Sequence, residues 1–240
     1  MKTETIEYSD GGTTCIGHLA WDDTQTGPRP GIVVFSEAYG LNDHARIRAE
    51  RLAALGFVAL AADLHGNGLV YGDMASLGPA IQALYADRSA WRARALAAFN
   101  TLVALPQVDT NQTAAIGFCF GGATCFELAR TGAPLGGITV FHAGVIPELP
   151  EDKGRISGQV LICQGADDPV VKKEAVDAVT AELSRDKVDW QYIVYANTGH
   201  SFTDPDADAR NMPGFAYNAL AEERSWMAMR LQYHEIFTVT

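Results

Sequence analysis

Short apolar segments alternate with longer amphipathic segments along nearly the whole chain, and this alternation limits the possible folds more than any other feature of the sequence. Residues 31–35, 57–62 and 137–141 are apolar at nearly every position, which is typical of strands buried on both faces. The longer segments between them carry apolar residues at helical spacing. The chain is therefore predicted to form an α/β fold, with a mostly parallel sheet and helices on both of its faces.

The order of the elements follows from the same pattern. Strands are predicted, the first of them antiparallel, over 13–21, 31–35, 57–62, 113–117, 137–141, 160–164 and 190–195. Helices are predicted over 43–55, 80–105 (in one or two pieces), 120–130, 172–185 and 216–237. Asp43 is the N-cap candidate of the first helix, Gly56 is its C-terminal stop, and a glycine-rich loop covers 64–78. No repeat or linker divides the sequence, so residues 1–240 are expected to form a single domain.

Composition and charge exclude several classes of partner. The chain has 18 Lys and Arg residues and 29 Asp and Glu residues, and the formal charge of −11 argues against nucleic acid, which needs a basic surface. No apolar run approaches the roughly 20 residues that cross a bilayer, and the N-terminus has no signal-peptide core. We therefore expect a cytoplasmic protein without a membrane partner.

Motifs for cofactors and metals are missing from the sequence. The four cysteines, at positions 15, 119, 125 and 163, form no Cys-x-x-Cys pair, which is unlike a zinc site or a secreted disulfide framework. The sequence has no phosphate-binding or dinucleotide-binding glycine fingerprint and no His-Glu-x-x-His motif. No cofactor and no metal is predicted, and the cysteines should be free thiols in a reducing compartment.

The sharpest chemical signal is Gly-Phe-Cys-Phe-Gly-Gly over 117–122, between a predicted strand and a predicted helix. In the Gly-x-Ser-x-Gly nucleophile elbow, a tight turn presents the nucleophile at the tip of a strand, and glycines avoid collisions of Cβ atoms with the backbone. Cys119 occupies the nucleophile position, next to a helix N-terminus that favours the thiolate. On the motif alone, close strand–helix packing around a small core cysteine is an equally good interpretation.

An acid and a base follow in the order that this architecture uses. Asp168 comes after a predicted strand, and it is preferred to Asp167 because it directly precedes the Pro-Val turn into a helix. His200 lies on a glycine-flanked loop after the last predicted strand. Asp168 could instead cap the helix, and His200 alone could be a solvent-exposed loop histidine. Nucleophile, acid and base at the ends of successive strands make a hydrolase site the better explanation.

The sequence resembles the dienelactone hydrolases (carboxymethylenebutenolidase-like proteins), which have the α/β-hydrolase fold. The resemblance covers nearly the whole chain and is carried by Phe-Ser-Glu-Ala-Tyr-Gly-Leu at 35–41, Gly-Phe-Cys-Phe-Gly-Gly at 117–122, Gly-Ala-Asp-Asp-Pro-Val at 165–170 and Gly-His-Ser-Phe at 199–202. The segment 217–226 also looks similar to family members, and cysteine in the elbow is the most specific mark. The resemblance implies a catalytic triad of Cys119, His200 and Asp168 that acts on an ester or lactone.

The resemblance also implies a role for Glu37. In the family, a glutamate at this place contacts the resting thiol and is proposed to take its proton when substrate enters. A carboxylate beside a thiol disfavours the thiolate by like-charge repulsion and would protect Cys119 from oxidation. The alternative is a capping or loop acid paired with Arg46 or Arg48. The functional interpretation is preferred, because an acid directly after an apolar buried strand needs a reason.

The oxyanion hole of this fold uses the backbone N–H after the nucleophile and one after the early strand, which would here belong to Phe120 and Ala38. Candidates for the wall of the substrate pocket are Tyr39, Phe118, His142, Phe202 and Asp204. The alternatives are a hydrogen-bonded His142 behind the site and core positions for the aromatic residues. Asp204 stands where carboxylate-binding members carry arginine, so a neutral or cationic ester, lactone or thioester is at least as suitable as an anionic lactone.

Three functional classes are open on the sequence. The leading one is a metal-free hydrolase that acts on a small-molecule ester or lactone, as a monomer or homodimer. A hydrolase-fold binding protein with a degraded site is disfavoured because all three triad residues are present. A thiol redox protein would need a resolving cysteine near Cys119, and Cys125 is the only local candidate.

Overall fold

The computed structural model describes residues 1–237. Its strands are β1 (Lys2–Ser9), β2 (Thr14–Trp21), β3 (Arg29–Phe35), β4 (Val58–Ala62), β5 (Val108–Phe118), β6 (Gly137–Phe141), β7 (Gln159–Gly165) and β8 (Trp190–Tyr195). Its α-helices are α1 (Asp43–Ala53), α2 (Met74–Ala86), α3 (Arg88–Val103), α4 (Phe120–Arg130), α5 (Lys173–Arg185) and α6 (Ala219–Ile236). Short 3₁₀ helices lie at Pro150–Asp152 and Ala207–Arg210.

The strands form an eight-stranded sheet with the order β1-β2-β4-β3-β5-β6-β7-β8. Strand β2 pairs antiparallel with β1 and β4, whereas β3 with β4, β6 with β7 and β7 with β8 are parallel pairs. Parallel neighbours need crossover connections, which in this chain contain helices. The predicted α/β class with a mostly parallel sheet is confirmed.

Strand β1 is the one strand that the apolar pattern does not predict. Its eight residues carry only two large apolar side chains, Ile6 and Tyr8, and it lies at the edge of the sheet. An edge strand with exposed faces has no long apolar run, so periodicity alone cannot distinguish it from a loop. By contrast, β6, β8 and α4 have the predicted bounds, and every residue of β6 and α4 is buried.

Two helix starts differ from the prediction because of capping residues. Helix α1 is capped by the side chain of Asn42, and Asp43 is its first residue rather than its cap. Helix α2 begins at Met74, inside the segment predicted as a glycine-rich loop, because the Asp73 side chain caps its first turn. The long helix predicted after this loop is two helices, which Asp87 separates by ending one and capping the next.

The chain divides into two compact units, Met1–Ile116 and Gly117–Thr240. In the first unit, α1 and α3 pack against β3 and β4, whose side chains are almost all buried. In the second unit, α4 packs against β6, and α6 packs against β6 and β7. The organisation of the whole chain as a single domain stays a prediction.

In the first unit, a buried carboxylate organises the loop that follows β4. Asp63 accepts backbone N–H groups of Ile16, His65, Gly66 and Gly68 at 2.7 to 3.0 Å. Gly66 and Gly68 have φ angles of 84° and 66°, a conformation that glycine adopts without strain. These bonds replace the water that the carboxylate loses on burial, so Asp63 can hold the loop from inside the unit.

In the second unit, a buried ion cluster fixes the C-terminal end of α4. Arg130 donates to both carboxylate oxygens of Glu182 in α5, at 3.0 and 2.5 Å. It also donates to Glu127 at 2.9 Å and to the carbonyl of Ile146 at 3.0 Å. The three charged side chains are at most 5% exposed. The cluster therefore ties α4, whose first turn follows Cys119, to α5.

Replacing Arg130 by methionine should lower the free energy of unfolding by about 3–5 kcal/mol, because two buried carboxylates would lose their partner. The matched control is Arg185→Met, which removes an exposed ion pair with Glu148 and should cost no more than about 1 kcal/mol. Urea unfolding followed by circular dichroism measures both variants. Equal losses in the two variants would contradict the anchoring role of the Arg130 cluster.

Candidate active site

The predicted elbow is a tight strand–turn–helix connection between β5 and α4. Cys119 has φ 51° and ψ −115°, which L-residues rarely adopt, and its N–H donates to the carbonyl of Phe141 at 3.0 Å. A Cβ on Gly117 would lie 2.1 Å from the carbonyl oxygen of Gly121, so only glycine fits there. Backbone strain of this kind persists only where the surroundings enforce it, and it is concentrated at functional sites.

Among the four cysteines, only Cys119 is partly exposed. Burial raises the pKa of Cys15 to about 11 and that of Cys163 to about 12, and it raises the pKa of Cys125 well above its usual value. These three thiols are buried side chains of the core. Cys119 instead precedes the first residue of α4, where unpaired N–H groups favour a negative charge.

Asp168 and His200 form a buried hydrogen bond. Nδ1 of His200 lies 2.8 Å from Oδ2 of Asp168, and both side chains are almost fully buried. The other oxygen of Asp168 accepts the backbone N–H groups of Val170 and Val171 at 2.8 and 3.0 Å. Asp168 therefore does both things that the sequence left as alternatives: it orients the imidazole and it caps the turn that leads to α5.

The protonation of His200 depends on its two charged neighbours. Burial lowers the pKa of His200, but the charge of Cys119 and the hydrogen bond to Asp168 outweigh it and raise this pKa to about 10. Nε2 of His200 has no hydrogen bond of good geometry with a described residue, so charge attraction is the main effect of Cys119. Burial would raise the pKa of Asp168, but His200 and the Val170 and Val171 N–H groups hold it below its usual value. These contacts favour a positively charged imidazole beside the ionised carboxylate of Asp168.

The loop that carries His200 is held by its backbone. The N–H of His200 donates to the carbonyl of Gly214 at 2.8 Å, and the carbonyl of His200 accepts the N–H of Ala216 at 3.2 Å. A Cβ on Gly199 would lie 2.2 Å from the carbonyl oxygen of Gly214, which explains the glycine before the histidine. The ring of Phe215 packs edge-on against His200, with centroids 4.7 Å apart. The imidazole is therefore fixed by the chain on both sides.

In the first unit, the loop after β3 carries the other predicted site residues. Glu37 is buried, and the carbonyl of Ala38 lies 2.6 Å from Nε2 of His65. Tyr39 is half-buried, and its carbonyl accepts the N–H of Tyr71 at 2.9 Å. Burial lowers the pKa of His65, which keeps the ring neutral and lets Nε2–H donate to Ala38. The loop is thus held by the segment that follows β4.

Comparison with known proteins decides the family. Residues 17–236 match the dienelactone hydrolase family. The chain belongs to this family. It is a hydrolase of the dienelactone hydrolase type, and its fold is the α/β-hydrolase fold, as the resemblance implied.

Solved structures and a curated relative show how similar other dienelactone hydrolases are to this chain. A structure named m3DLH is 60% identical, with a TM-score of 0.97 and 99% of each chain covered. A dienelactone hydrolase-like promiscuous phosphotriesterase from metagenomic libraries is 56% identical, with a TM-score of 0.97 and the same coverage. A Yersinia pestis protein named "Putative carboxymethylenebutenolidase" is 25% identical over 88% of this chain and 80% of its own length.

His142 of this dienelactone hydrolase lies behind His200 rather than in solvent. It is fully buried, has φ 40°, and places Nε2 2.9 Å from the hydroxyl of Thr203. Its ring is edge-on to the rings of His200 and Phe202, with centroid distances of 5.1 and 5.2 Å. The structure favours the hydrogen-bonded alternative over a pocket-wall position.

The aromatic pocket candidates of the second unit are core residues. Phe118 is fully buried and stacks on Phe141, with centroids 4.9 Å apart. Phe202 is fully buried as well and packs against His142 and Tyr195. Phe118 therefore packs in the core next to the elbow, and Phe202 packs in the core next to the histidine loop. A core position was the alternative to the pocket wall for both residues.

Asp204 is paired, and this corrects the reasoning about its charge. Oδ2 of Asp204 accepts a hydrogen bond from Nη2 of Arg210, and Oδ1 accepts the N–H of Asp206 at 3.0 Å. The side chain is 2% exposed, so its negative charge is offset inside the histidine loop. The predicted repulsion of anionic substrates by a lone carboxylate loses its basis. Arginine at position 204 would break this pair rather than create a carboxylate site.

One polar contact of the triad is absent from the sequence-based prediction. Nε2 of Gln164 donates to Oδ2 of Asp168 at 2.7 Å, the same oxygen that accepts from His200. The signal in the sequence is weak: an amide near the end of an otherwise apolar strand, four positions before the acid. Only the tertiary structure shows that the strand end turns back toward Asp168.

The described part of the chain holds no group of three or more His, Cys, Asp or Glu side chains that could bind a metal ion. Within residues 1–237, none of the helices combines the length and the apolar character that crossing a membrane requires.

Replacing Cys119 by alanine should lower the pKa of His200 from about 10 toward 6.5, because the charge of Cys119 is the largest effect that raises it. Histidine ring signals followed by NMR against pH measure this pKa, with His200→Gln for assignment and Cys125→Ala as the matched control.

The same titration has a consequence for stability. The folded-state pKa of His200 lies above the ordinary value, so the charged imidazole stabilises the fold fully below about pH 6.5 and loses this contribution as the pH rises through about 10.

For the NMR titration, a pKa of His200 that is the same in Cys119→Ala and wild type would show that Cys119 and His200 do not interact.

Proposed function

We propose that this dienelactone hydrolase cleaves a small ester or lactone, with Cys119 as the nucleophile, His200 as the acid and base, and Asp168 as the group that orients His200. One observation carries the proposal: His200 is hydrogen-bonded to Asp168 at 2.8 Å while the charge of Cys119 raises its pKa. Once Cys119 is a thiolate beside an imidazolium, it can attack a carbonyl without further proton removal.

In the first half of the proposed reaction, Sγ of Cys119 forms a bond to the carbonyl carbon, and the carbonyl oxygen becomes an oxyanion. Collapse of this intermediate breaks the bond to the leaving oxygen, which takes the proton from Nε2 of His200. The product is an acyl-thioester on Cys119, and a lactone stays attached through its acyl group.

In the second half, neutral His200 takes a proton from water, and the water oxygen attacks the thioester carbon. The bond from carbon to Sγ breaks, which restores the thiolate of Cys119 beside the imidazolium of His200. Asp168 keeps its charge throughout and stabilises the imidazolium. The net change is addition of one water to the ester bond, and the scheme uses no cofactor.

The oxyanion donors and Glu37 belong to the same proposal. The N–H of Phe120 follows the nucleophile at the first turn of α4, where helix N–H groups point outward. The N–H of Ala38 is the second donor that the family resemblance implies. Glu37 is proposed to contact the resting thiol and to take its proton when substrate enters, which leaves Cys119 as the attacking thiolate. Its burial supports a dedicated role, because a buried carboxylate is costly.

The names of relatives favour lactones and esters as the substrate class. The Yersinia pestis relative carries the name of a carboxymethylenebutenolidase, which is a lactone hydrolase. The charge of −11 disfavours anionic substrates over the whole surface, whereas Asp204 is neutralised by Arg210. Both a neutral ester and an anionic lactone are thus compatible with the site, and we propose the neutral ester as the better substrate.

Phosphotriester cleavage is a second candidate function. It is favoured by the 56% identity to a structure described as a promiscuous phosphotriesterase. A thiolate can attack phosphorus as it attacks a carbonyl carbon, with the aryl oxide as leaving group. Hydrolysis of a neutral dialkyl aryl phosphate, measured beside that of a p-nitrophenyl ester, shows whether the enzyme cleaves phosphotriesters as well as carboxylic esters.

The two other functional classes have less support. A degraded binding protein would not keep a triad with this hydrogen bonding and charge. A thiol redox protein would need Cys125 to resolve a sulfenic acid on Cys119, but Cys125 is fully buried. A cytoplasmic location, a monomeric or homodimeric state, and the lack of nucleic-acid and membrane partners stay predictions.

Replacing Cys119 by alanine should lower kcat/KM for p-nitrophenyl esters and lactones by about 10³-fold or more while the fold survives, because the attacking atom is lost. Cys125→Ala is the matched control, since it removes a thiol from the same helix without touching the triad, and it should keep most of the activity. A purified Cys119→Ala protein with wild-type turnover would refute the assignment of the nucleophile.

Cys119→Ser should keep the fold and at most weak activity, because a hydroxyl needs a stronger base than a poised thiol. The assay is the same ester panel, with circular dichroism to compare the folds. A several-fold faster Cys119→Ser enzyme would leave the triad intact but would contradict the proposed part of Glu37.

A further inference from the structure

Gln164 is a polar residue in a strand that is otherwise built for burial. Strand β7 carries Val160, Leu161, Ile162 and Cys163 directly before it, and all of them are at most 2% exposed. Gln164 is itself 3% exposed. A buried amide must replace its bonds to water, so an apolar residue would be the less costly choice at this position.

The amide of Gln164 faces the acid of the triad in a fixed orientation. Its nitrogen Nε2 lies 2.7 Å from Oδ2 of Asp168, which also accepts from Nδ1 of His200 at 2.8 Å. An ionised carboxylate only accepts hydrogen bonds, so the NH₂ group and not the carbonyl oxygen must face Asp168. The oxygen Oε1 is then buried without a hydrogen-bond partner among the described residues.

This pairing has a cost and a benefit that can be assigned. The unpaired Oε1 costs free energy, because a buried acceptor has lost its water. A hydrogen bond to a charged acceptor is among the stronger ones, and Nε2 makes such a bond. The carboxylate of Asp168 thus accepts two hydrogen bonds at Oδ1, from Val170 and Val171. It accepts one from Gln164 at Oδ2, beside the bond to His200.

We propose that Gln164 is a positioning residue of the hydrolase, which acts through Asp168 to keep His200 aligned with Cys119. Two donors meet at Oδ2 from different directions: Gln164 from β7 and His200 from the loop after β8. Without Gln164, Oδ2 keeps only its bond to His200, so this side of the carboxylate is held less firmly and the imidazole loses part of its fixed orientation. This inference rests on the proposed function, since it assigns Gln164 a part in the same reaction.

The charged neighbours of Asp168 allow a pH readout. His200 is bonded to it, and Tyr192 of β8 is close enough for the charge of Asp168 to help raise the pKa of that phenol. Loss of the Gln164 donor destabilises the ionised form of Asp168, so the pKa of Asp168 rises. The acidic limb of kcat/KM should therefore move to higher pH, and a purely structural role of Gln164 would not move it.

The test compares Gln164→Met with wild type on a neutral p-nitrophenyl ester over the full pH range. Methionine keeps the length and burial of the side chain but donates no hydrogen bond. We expect kcat to fall by about tenfold at neutral pH with KM nearly unchanged, since the loss of one bond to a charged group misaligns the base without touching the substrate.

Two further variants keep the test decisive. Gln164→Glu keeps the shape and, while protonated, can donate to Asp168; its activity should lie above that of Gln164→Met at acidic pH and decline as the pH rises. Gln232→Met is the matched control: Gln232 is also a buried glutamine, but it bonds Thr139 at 2.6 Å. It should lower the stability without shifting the pH profile.

The outcomes separate this inference from the proposed function. A Gln164→Met enzyme with wild-type kcat and pH profile, beside an inactive Cys119→Ala, would overturn only the role of Gln164. An active Cys119→Ala would overturn the proposed function itself, whatever Gln164→Met does. Equal shifts of the pH profile in Gln164→Met and Gln232→Met would also reject the inference, because the effect would then not be specific to the triad.

Discussion

The turn of the backbone at Cys119 is the constraint on which the chemistry of this hydrolase depends. With φ 51°, the chain leaves β5 and enters α4 within one residue, so the thiol stands at the tip of a strand and at the start of a helix. The turn is possible because residue 117 is glycine: a Cβ there would lie 2.1 Å from the carbonyl oxygen of Gly121. At the far end of α4, the buried Arg130 ties this helix to Glu182 of α5. The side chain of Cys119 is partly exposed although its neighbours are core residues.

In the second unit, the ionised side chains near the site are compensated by hydrogen-bond donors or by opposite charges. Asp168 is surrounded by donors, His200 lies between Asp168 and Cys119, and Asp204 is paired with Arg210. Such compensation matters because an uncompensated buried charge would shift its pKa until it became neutral. The hydrogen bond to Asp168 and the raised pKa of His200 therefore favour a charged imidazole next to Cys119, as the proposed acyl transfer requires.

The fold was predictable where burial repeats with a regular period, and not elsewhere. Strands β6 and β7 and helix α4 carry continuous or periodic apolar residues, so their bounds follow closely from the sequence. Strand β5 instead begins at Val108, five residues before its predicted start, because the polar stretch 109–112 gives no apolar pattern. Strand β1 has too few apolar side chains for this, and α2 begins where Asp73 caps it inside a glycine-rich stretch. A helix cap depends on one hydrogen bond from one residue, and Asp and Asn are too common in sequences for a single such residue to mark a helix start.

For the site, the sequence by itself determined which residues can carry the chemistry and in which order they occur. An elbow cysteine, an acid and a histidine after successive strands need only local motifs, because parallel strands bring their ends to one edge of the sheet. The tertiary structure decided how each group is charged and held. Gln164 meets Asp168 through a turn of the chain, Arg210 neutralises Asp204 across its loop, and His142 is buried behind His200. These contacts depend on side-chain directions and burial, and neither is encoded in the type or spacing of the residues alone.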